Sequence, residues 1–497
     1  MTLVAVALGV VMVSLDGTVV HIANPTIARD LGSSMTGLQW VTNGYLLALA
    51  VTLIVGGKLG DRFGRRRLFV IGVAGFALAS LGCAVSPSTA ALIVFRVLQG
   101  LAGALLVPNT LAILRSTFPS SELNRAIATW SAASALAAAA GPIIGGLLVE
   151  YLSWPAIFVL NVPIGLAAAA LAVRWADESR APGRADRFDI LGAAVLAGAL
   201  FVLVWALTGA TGHGWGYWVA GTAAALALLA GFVLRQHRFP APILPLSLFR
   251  SRALSVGVVL LVTGNVALYG VLFSIGLYMQ NVNGHTPLGT GVRLLPLMAM
   301  FMVGSPLGGR LTERLGSRWP LALGMALLAA SFFGLVGLSA DSPYGRQWPW
   351  LMLLGLGMGI VVVAGTEAVV GTAPVEHSGV AGGLQTTANQ LGGVLGTTVF
   401  GTVIAAIVAR TLPAELHGAG VPDAVAEQVV TRMGLAEQGI APLGAQLNDL
   451  AATITQATER AFMSGMHTVM WIGAGIALLS ALLALLIPAR RQGQAAA

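Results

Sequence analysis

Charge is the scarcest commodity in this chain: only 9% of its 497 residues are Asp, Glu, Lys or Arg, against roughly 25% in a soluble globular domain. With 57% of the residues hydrophobic, that shortage excludes an ordinary water-soluble fold. Cysteine is almost absent too. The single Cys83 rules out a disulfide framework and a cysteine-based zinc site. The seven histidines are scattered, without a His-x-x-x-His pair, and no serine elbow or Gly-x-x-x-x-Gly-Lys-Ser/Thr loop occurs. No catalytic residue, metal site or nucleotide site is therefore expected, and any active transport must draw on an ion gradient.

What the chain has in quantity is long apolar runs. A bilayer is crossed by about 20 apolar residues in a helix, because only a helix satisfies its own N–H and C=O groups where water is missing. Breaking the runs at charges and at Pro/Gly clusters predicts fourteen spans, near 2–24, 38–59, 68–85, 89–114, 126–148, 156–175, 189–209, 216–234, 253–279, 289–309, 320–340, 349–372, 380–408 and 464–487. The N-terminal run has no basic leader and carries Asp16, so it reads as a retained span. An even count puts both termini on one side.

The net charge of +8 would suggest nucleic acid in a soluble protein. Here the bases cluster at alternate span ends, which is a signature of membrane orientation and argues against a nucleic-acid partner. With the N-terminus inside, 20 of the 27 basic residues fall in cytoplasmic loops or the tail, among them Arg184, Arg187, Arg490 and Arg491. The expected location is the cell membrane, multi-pass, with cytoplasmic termini. The longest loop, 409–463, then lies outside with six acids against three arginines, and Pro422 is placed to start a small helical cap.

An internal repeat organises the spans. "GGKLGDRFGRRRL" at 56–68 returns in weaker form as "GGRLTERLGSRWP" at 308–320. The offset maps spans two and three onto ten and eleven. The expected domains are an N-terminal six-helix bundle (1–176), an inserted pair of helices with its linkers (177–252), a C-terminal six-helix bundle (253–488) and a tail (489–497). Paired halves with a site near the midplane are a common architecture for secondary transporters.

In the first copy, Gly57 and Gly64 permit close approach and unusual dihedrals. Asp61 can accept from arginines such as Arg62, Arg65 and Arg66 and hold one conformation as a latch. Arg65 to Arg67 serve equally well as orientation anchors, but an acid has no such use. The stretch resembles the loop signature of the major facilitator superfamily. "LDGTVVHIANPTI" (15–27), "FRVLQGLAGALLVP" (95–108) and "GPIIGG" (141–146) narrow the resemblance to its fourteen-helix drug:proton antiporters. The chain departs from the usual first-helix pattern at His21 and Asn24. The resemblance implies two bundles that alternate access, no cofactor beyond the proton motive force, and proton coupling at Asp16 and Arg96.

The residues themselves support part of this. A carboxylate such as Asp16 costs roughly 2.5 to 3.5 kcal/mol inside a span, so it must face a cavity or a partner, for proton carriage or for a helix–helix hydrogen bond. Arg96 keeps its charge, and Gln99 shares its face. Arg96 either biases a nearby carboxylate or makes an interior pair. Gly141, Pro142, Gly145 and Gly146 bare one side of the fifth span, as a packing face or, by resemblance, as the antiporter motif that controls bending and leakage.

Cavity candidates are the polar residues within spans, Asn24 and Gln99 among them. Asn265 and Tyr269 share one helix face, as do Gln385 and Asn389. Trp40, Asn43 and Tyr45 line the cavity or form an interfacial belt. Glu367 is an interfacial acid or a site residue, and His21 a satisfied polar group or a cavity group. The expected function is proton-driven export of amphiphilic drugs or antibiotics, lipophilic cations included. Export of an endogenous lipid, glycolipid or self-made antibiotic is the alternative, and a receptor or membrane-embedded enzyme is disfavoured. Small amphiphiles, protons and the lipid bilayer are the expected partners of a monomer.

Overall fold

The computed structural model describes residues 1–180, 189–239, 242–374, 378–442 and 450–488. The tail 489–497 and Arg184, Arg187, Arg490 and Arg491 lie outside the described residues. Among those described, thirteen helices are long and apolar enough to cross a membrane, and a fourteenth is the bent second helix. No strand occurs among them. Large apolar side chains such as Leu78, Leu479 and Leu226 stay 68%, 68% and 59% exposed, the pattern of surfaces meant for lipid rather than water.

The contacts divide the chain into two units, Met1–Ile243 with Ile275–Val292, and Leu244–Ser274 with Arg293–Ala497. The first contains α1 (Thr2–Leu31), α2 (Met35–Phe63), α3 (Arg65–Ala84), α4 (Thr89–Thr117), α5 (Ser120–Tyr151), the short α6 (Ala156–Val159), α7 (Asn161–Trp175), α8 (Ile190–Thr208) and α9 (Ala210–Arg238). Helix α1 runs on through Pro25 and stops where Gly32 takes φ 60° and returns its N–H to Ala28, a glycine C-cap. Ser34 and Ser88 cap α2 and α4 with their hydroxyls. Helix α2 bends by 51° between Leu53 and Val55, just before Gly56 and Gly57, where adjacent glycines weaken side-chain support.

Small residues let these helices close on one another without a hydrophobic driving force. A Cβ on Gly72 of α3 would stand 2.8 Å from the Leu106 nitrogen of α4, and one on Gly56 of α2 would collide with the Ala104 carbonyl. At the start of α8, Asp189 caps Gly192 at 2.8 Å and pairs with Arg235 of α9 at 2.7 Å. That ion pair closes the inserted hairpin.

The remaining helices are α10 (Arg252–Leu277), which runs into a π-helical turn Tyr278–Val282, α11 (Pro287–Arg293), α12 (Leu295–Leu315), α13 (Arg318–Val336), α14 (Tyr344–Thr366) with a π-turn Glu367–Gly371, α15 (Ser378–Gly418), α16 (Asp423–Val430), α17 (Met433–Ala436) and α18 (Ala451–Ala484). In the second unit, α12 and α14 meet through Gly304, Gly355 and Gly359, each facing a backbone carbonyl of the other helix. Pro422 does precede α16. The stretch after Leu450, however, forms the first turns of α18 itself rather than a separate cap helix, since nothing between Ala451 and Ala484 breaks the helix.

Candidate functional site

Helices α1 and α4 cross where each carries its one buried charge. Arg96 Nη1 lies 2.5 Å from Asp16 Oδ2, with the two side chains 1% and 0% exposed. Ion pairs this dry are costly to form and costly to break, about 3 to 5 kcal/mol when one partner is removed. Arg96 donates from Nε to the Val41 carbonyl at 3.0 Å and from Nη1 to Gln99 Oε1 at 2.8 Å. The Tyr45 ring lies 4.3 Å from its guanidinium carbon and the Phe158 ring 5.7 Å, both within cation–π range.

Asp16 is surrounded by donors. Its Oδ1 accepts from Gln99 Nε2 at 3.2 Å and from Asn161 Nδ2 at 3.0 Å. Ser80 Oγ accepts from the same two amides at 2.7 and 3.3 Å and passes its own proton to the Phe76 carbonyl. Cys83 Sγ donates to Gln99 Oε1 at 3.3 Å. The arrangement therefore fits an ionised carboxylate, which only accepts, while a protonated acid would have to displace a donor.

Asn161, Ser80 and Cys83 were not singled out from sequence. Asn161 stands at the Leu160 break between α6 and α7, and a lone amide in an apolar run was its only signal. Tyr45 and Gln99, expected in a substrate cavity, belong to this network: Tyr45 also donates to the Val13 carbonyl at 3.2 Å. Trp40 turns elsewhere, its ring 5.5 Å from that of Phe201 on α8. His21, Asn24 and Asn43 are buried at 2%, 2% and 0%, and the Asn24 amide has no hydrogen-bond partner. In the second unit Asn265 donates to Asn389 at 3.0 Å, and Gln385 to Thr366 at 3.2 Å. Tyr269 is half-buried, while Glu367 is exposed in its π-turn.

The glycine-rich turn between α2 and α3 is tied down by acids. Arg65 donates twice to Asp61 Oδ1, at 2.9 and 2.8 Å. Gly64 takes φ 117°, a conformation that favours glycine, and turns the chain so that α3 starts on Glu178. That carboxylate accepts from the Arg66 and Arg67 backbone N–H groups at 3.1 and 3.2 Å, as an acid at a helix N-terminus should. Arg66 also reaches the Ala176 carbonyl at 3.0 Å. Arg62 lies over the ring of its neighbour Phe63, and Gly57 lies against Pro108 of α4.

The bared side of α5 is filled by side chains of α1 and by the backbone of α11. A Cβ on Gly141 would collide with Thr18 of α1, and one on Gly145 would stand 2.6 Å from a Val19 methyl. On the same helix, Gly146 faces Pro287 and Leu288, and Gly291 of α11 sits against the Pro142 carbonyl. Polar contacts accompany this seam: Leu288 N–H donates to Glu150, Gln280 to the Ile22 carbonyl, and Arg29 to Asn281, each at 2.9 Å.

A helical bundle of this span number, with a buried ion pair in its first and fourth spans, is the architecture of a polytopic membrane transporter. Residues 6–397 match the model of the Major Facilitator Superfamily, and the chain belongs to that family. It is 46% identical to the tetracenomycin C resistance and export protein of Streptomyces glaucescens over 97% of this chain and 90% of that one. It is 34% identical to the multidrug resistance protein Stp of Mycobacterium tuberculosis (strain CDC 1551 / Oshkosh), over 87% and 81%. Among solved structures, a bacterial homologue of the human lysosomal transporter Spinster, in an inward-facing and occupied conformation, superposes with TM-score 0.66 at 16% identity, covering 97% and 96% of the two chains. At that identity the likeness speaks for the fold.

Proposed function

We propose that this chain is a proton-coupled antiporter that exports amphiphilic drugs or antibiotics by alternating access, with both termini in the cytoplasm and the proton motive force as its energy source. The buried Asp16–Arg96 pair carries the reading. With Asp16 ionised, α1 is held to α4 and α7 through Arg96, Gln99 and Asn161. A proton on Asp16 cancels the charge that these donors serve, loosens α1 and tilts the balance between the two open forms. Arg96 keeps its charge throughout and re-forms the pair once the proton leaves.

The 46% identity to an antibiotic resistance and export protein of Streptomyces favours a second reading of the cargo, an antibiotic made by the producing cell itself. Both readings share one mechanism. Asp16→Asn should abolish gradient-driven efflux from energised vesicles while leaving expression and folding largely intact. A protonophore should reduce wild-type efflux to the mutant level. Undiminished active efflux in Asp16→Asn would remove Asp16 from the mechanism, and a substrate panel of neutral, cationic and lipid compounds would identify the cargo class.

A further inference from the structure

The second copy of the glycine-arginine repeat also turns at a positive-φ glycine, but among the described residues its arginines have no acidic partner. In the first copy Asp61 and Glu178 engage Arg65, Arg66 and Arg67. In the second, Gly316 turns the chain at φ 71°, yet Arg310 and Arg314 make no hydrogen bond or ion pair with any described residue. Arg318 lies only over the ring of its neighbour Trp319, at 5.3 Å, and its Nε is buried without a hydrogen-bond partner. Glu313, the one acid of 308–320, lies three residues after Arg310 and close to it round the helix, yet forms no ion pair with Arg310 or Arg314.

These cations are next in sequence to the residues that line an apolar groove. Leu311, Leu315, Trp319, Pro320 and Leu323 line a hollow of about 490 Å³ at the α12–α13 turn. Leu315, Trp319 and Leu323 are 50%, 53% and 46% exposed. The groove continues along α12 as Leu307 and Val303, four and eight residues before Leu311 and also exposed, hence on one face. The adjoining face, with Gly304, Gly308 and Thr312 about 100° round the helix, is buried.

We infer that this turn is a binding site for an anionic phospholipid, with the phosphodiester against Arg310, Arg314 and Arg318 and one acyl chain along the stripe from Leu315 to Val303. Three cations at a helix end match a phosphate-bearing headgroup in charge. An apolar track leading from them into the membrane excludes a soluble anion as the natural occupant. Basic pockets beside transmembrane helices select acidic headgroups in this way, and Trp319, at the start of α13, is of the residue type enriched at the membrane–water interface. The site is independent of the Asp16 network and of the transport reading.

The test uses the full chain in phosphatidylcholine vesicles doped with brominated phosphatidylglycerol or brominated phosphatidylcholine. The Trp319 signal is the difference between wild type and Trp319→Phe. Brominated phosphatidylglycerol should quench it at lower mole fraction, with roughly fivefold enrichment per engaged arginine. The Arg310→Gln/Arg314→Gln/Arg318→Gln variant should lose that preference. Arg314→Glu alone, a milder change for folding, should weaken it. Equal quenching by the two lipids, or a preference that survives in both variants, would overturn the proposal. So would removal of the preference by inorganic phosphate at matched ionic strength, which would identify a free-anion site.

Discussion

Arg96 and Asp16 offer the sharpest test of the energetics, because each leaves the other buried. Arg96→Gln removes the 2.5 Å pair, the donation to the Val41 carbonyl and the stack on Tyr45, leaving a carboxylate with only two amide donors in a dry site. That loss should cost about 3 to 5 kcal/mol. Asp16→Asn strands the guanidinium in the same surroundings, although Val41 and Gln99 still accept from it, so its cost should sit at or below the lower end of that range. In the double variant Asp16→Asn/Arg96→Gln no charge is left to desolvate, and much of the penalty should disappear. The expected coupling in a double-mutant cycle is about 2 to 3 kcal/mol, near the upper end of measured pair terms. Reversible unfolding in mixed micelles, followed by helical circular dichroism, supplies the four stabilities. Single costs that add to within about 0.5 kcal/mol would show that the two charges do not depend on each other and would refute the reasoning. All three variants should lack gradient-driven efflux, so a double variant that is stable yet inactive separates the structural from the functional role of the pair.

Two further expectations concern the ends of the spans. Glu178→Ala should free the first N–H groups of α3 and cost about 0.5 to 2 kcal/mol, the range for a lost N-terminal cap; faster amide exchange confined to 64–68 would mark the loss, and an unchanged exchange rate would contradict the cap. In the loop between α15 and α18, burial pushes the Glu437 carboxyl up to about 7 from its ordinary 4.5. The folded loop then binds a proton that the unfolded one has already lost, so its stability is full below about pH 4.5 and falls as pH rises to about 7. Amide exchange across Asp423–Ala436 should therefore quicken over that interval, and Glu437→Gln should flatten the dependence.

Much of this protein was written locally. Apolar runs of bilayer length announced the spans, since a backbone in lipid has no other way to satisfy itself, and isolated charges such as Asp16 and Arg96 announced a partner because lipid offers none. The repeated turn was readable because glycine spacing and arginine clustering act within a dozen residues. The start of α18 was misplaced for a related reason: a polar stretch and a membrane span can be one uninterrupted helix, and composition changes along it where geometry does not.

What the sequence by itself determined is the class of fold, the number of crossings and the two buried charges that had to face a cavity or a partner, all consequences of backbone satisfaction and charge in a medium without water. Only the tertiary structure decided how they are served. Asn161 reaches Asp16 across 145 positions, Ser80 gathers two amides from different helices, and Glu178 caps a helix more than a hundred residues before it. It also drew Tyr45 and Gln99 out of the expected cavity and into the ion-pair network, and left Arg310 and Arg314 without an ion pair among the described residues. Such contacts depend on how close glycine lets two helices come and on the direction each side chain then faces, and neither is encoded in the local pattern.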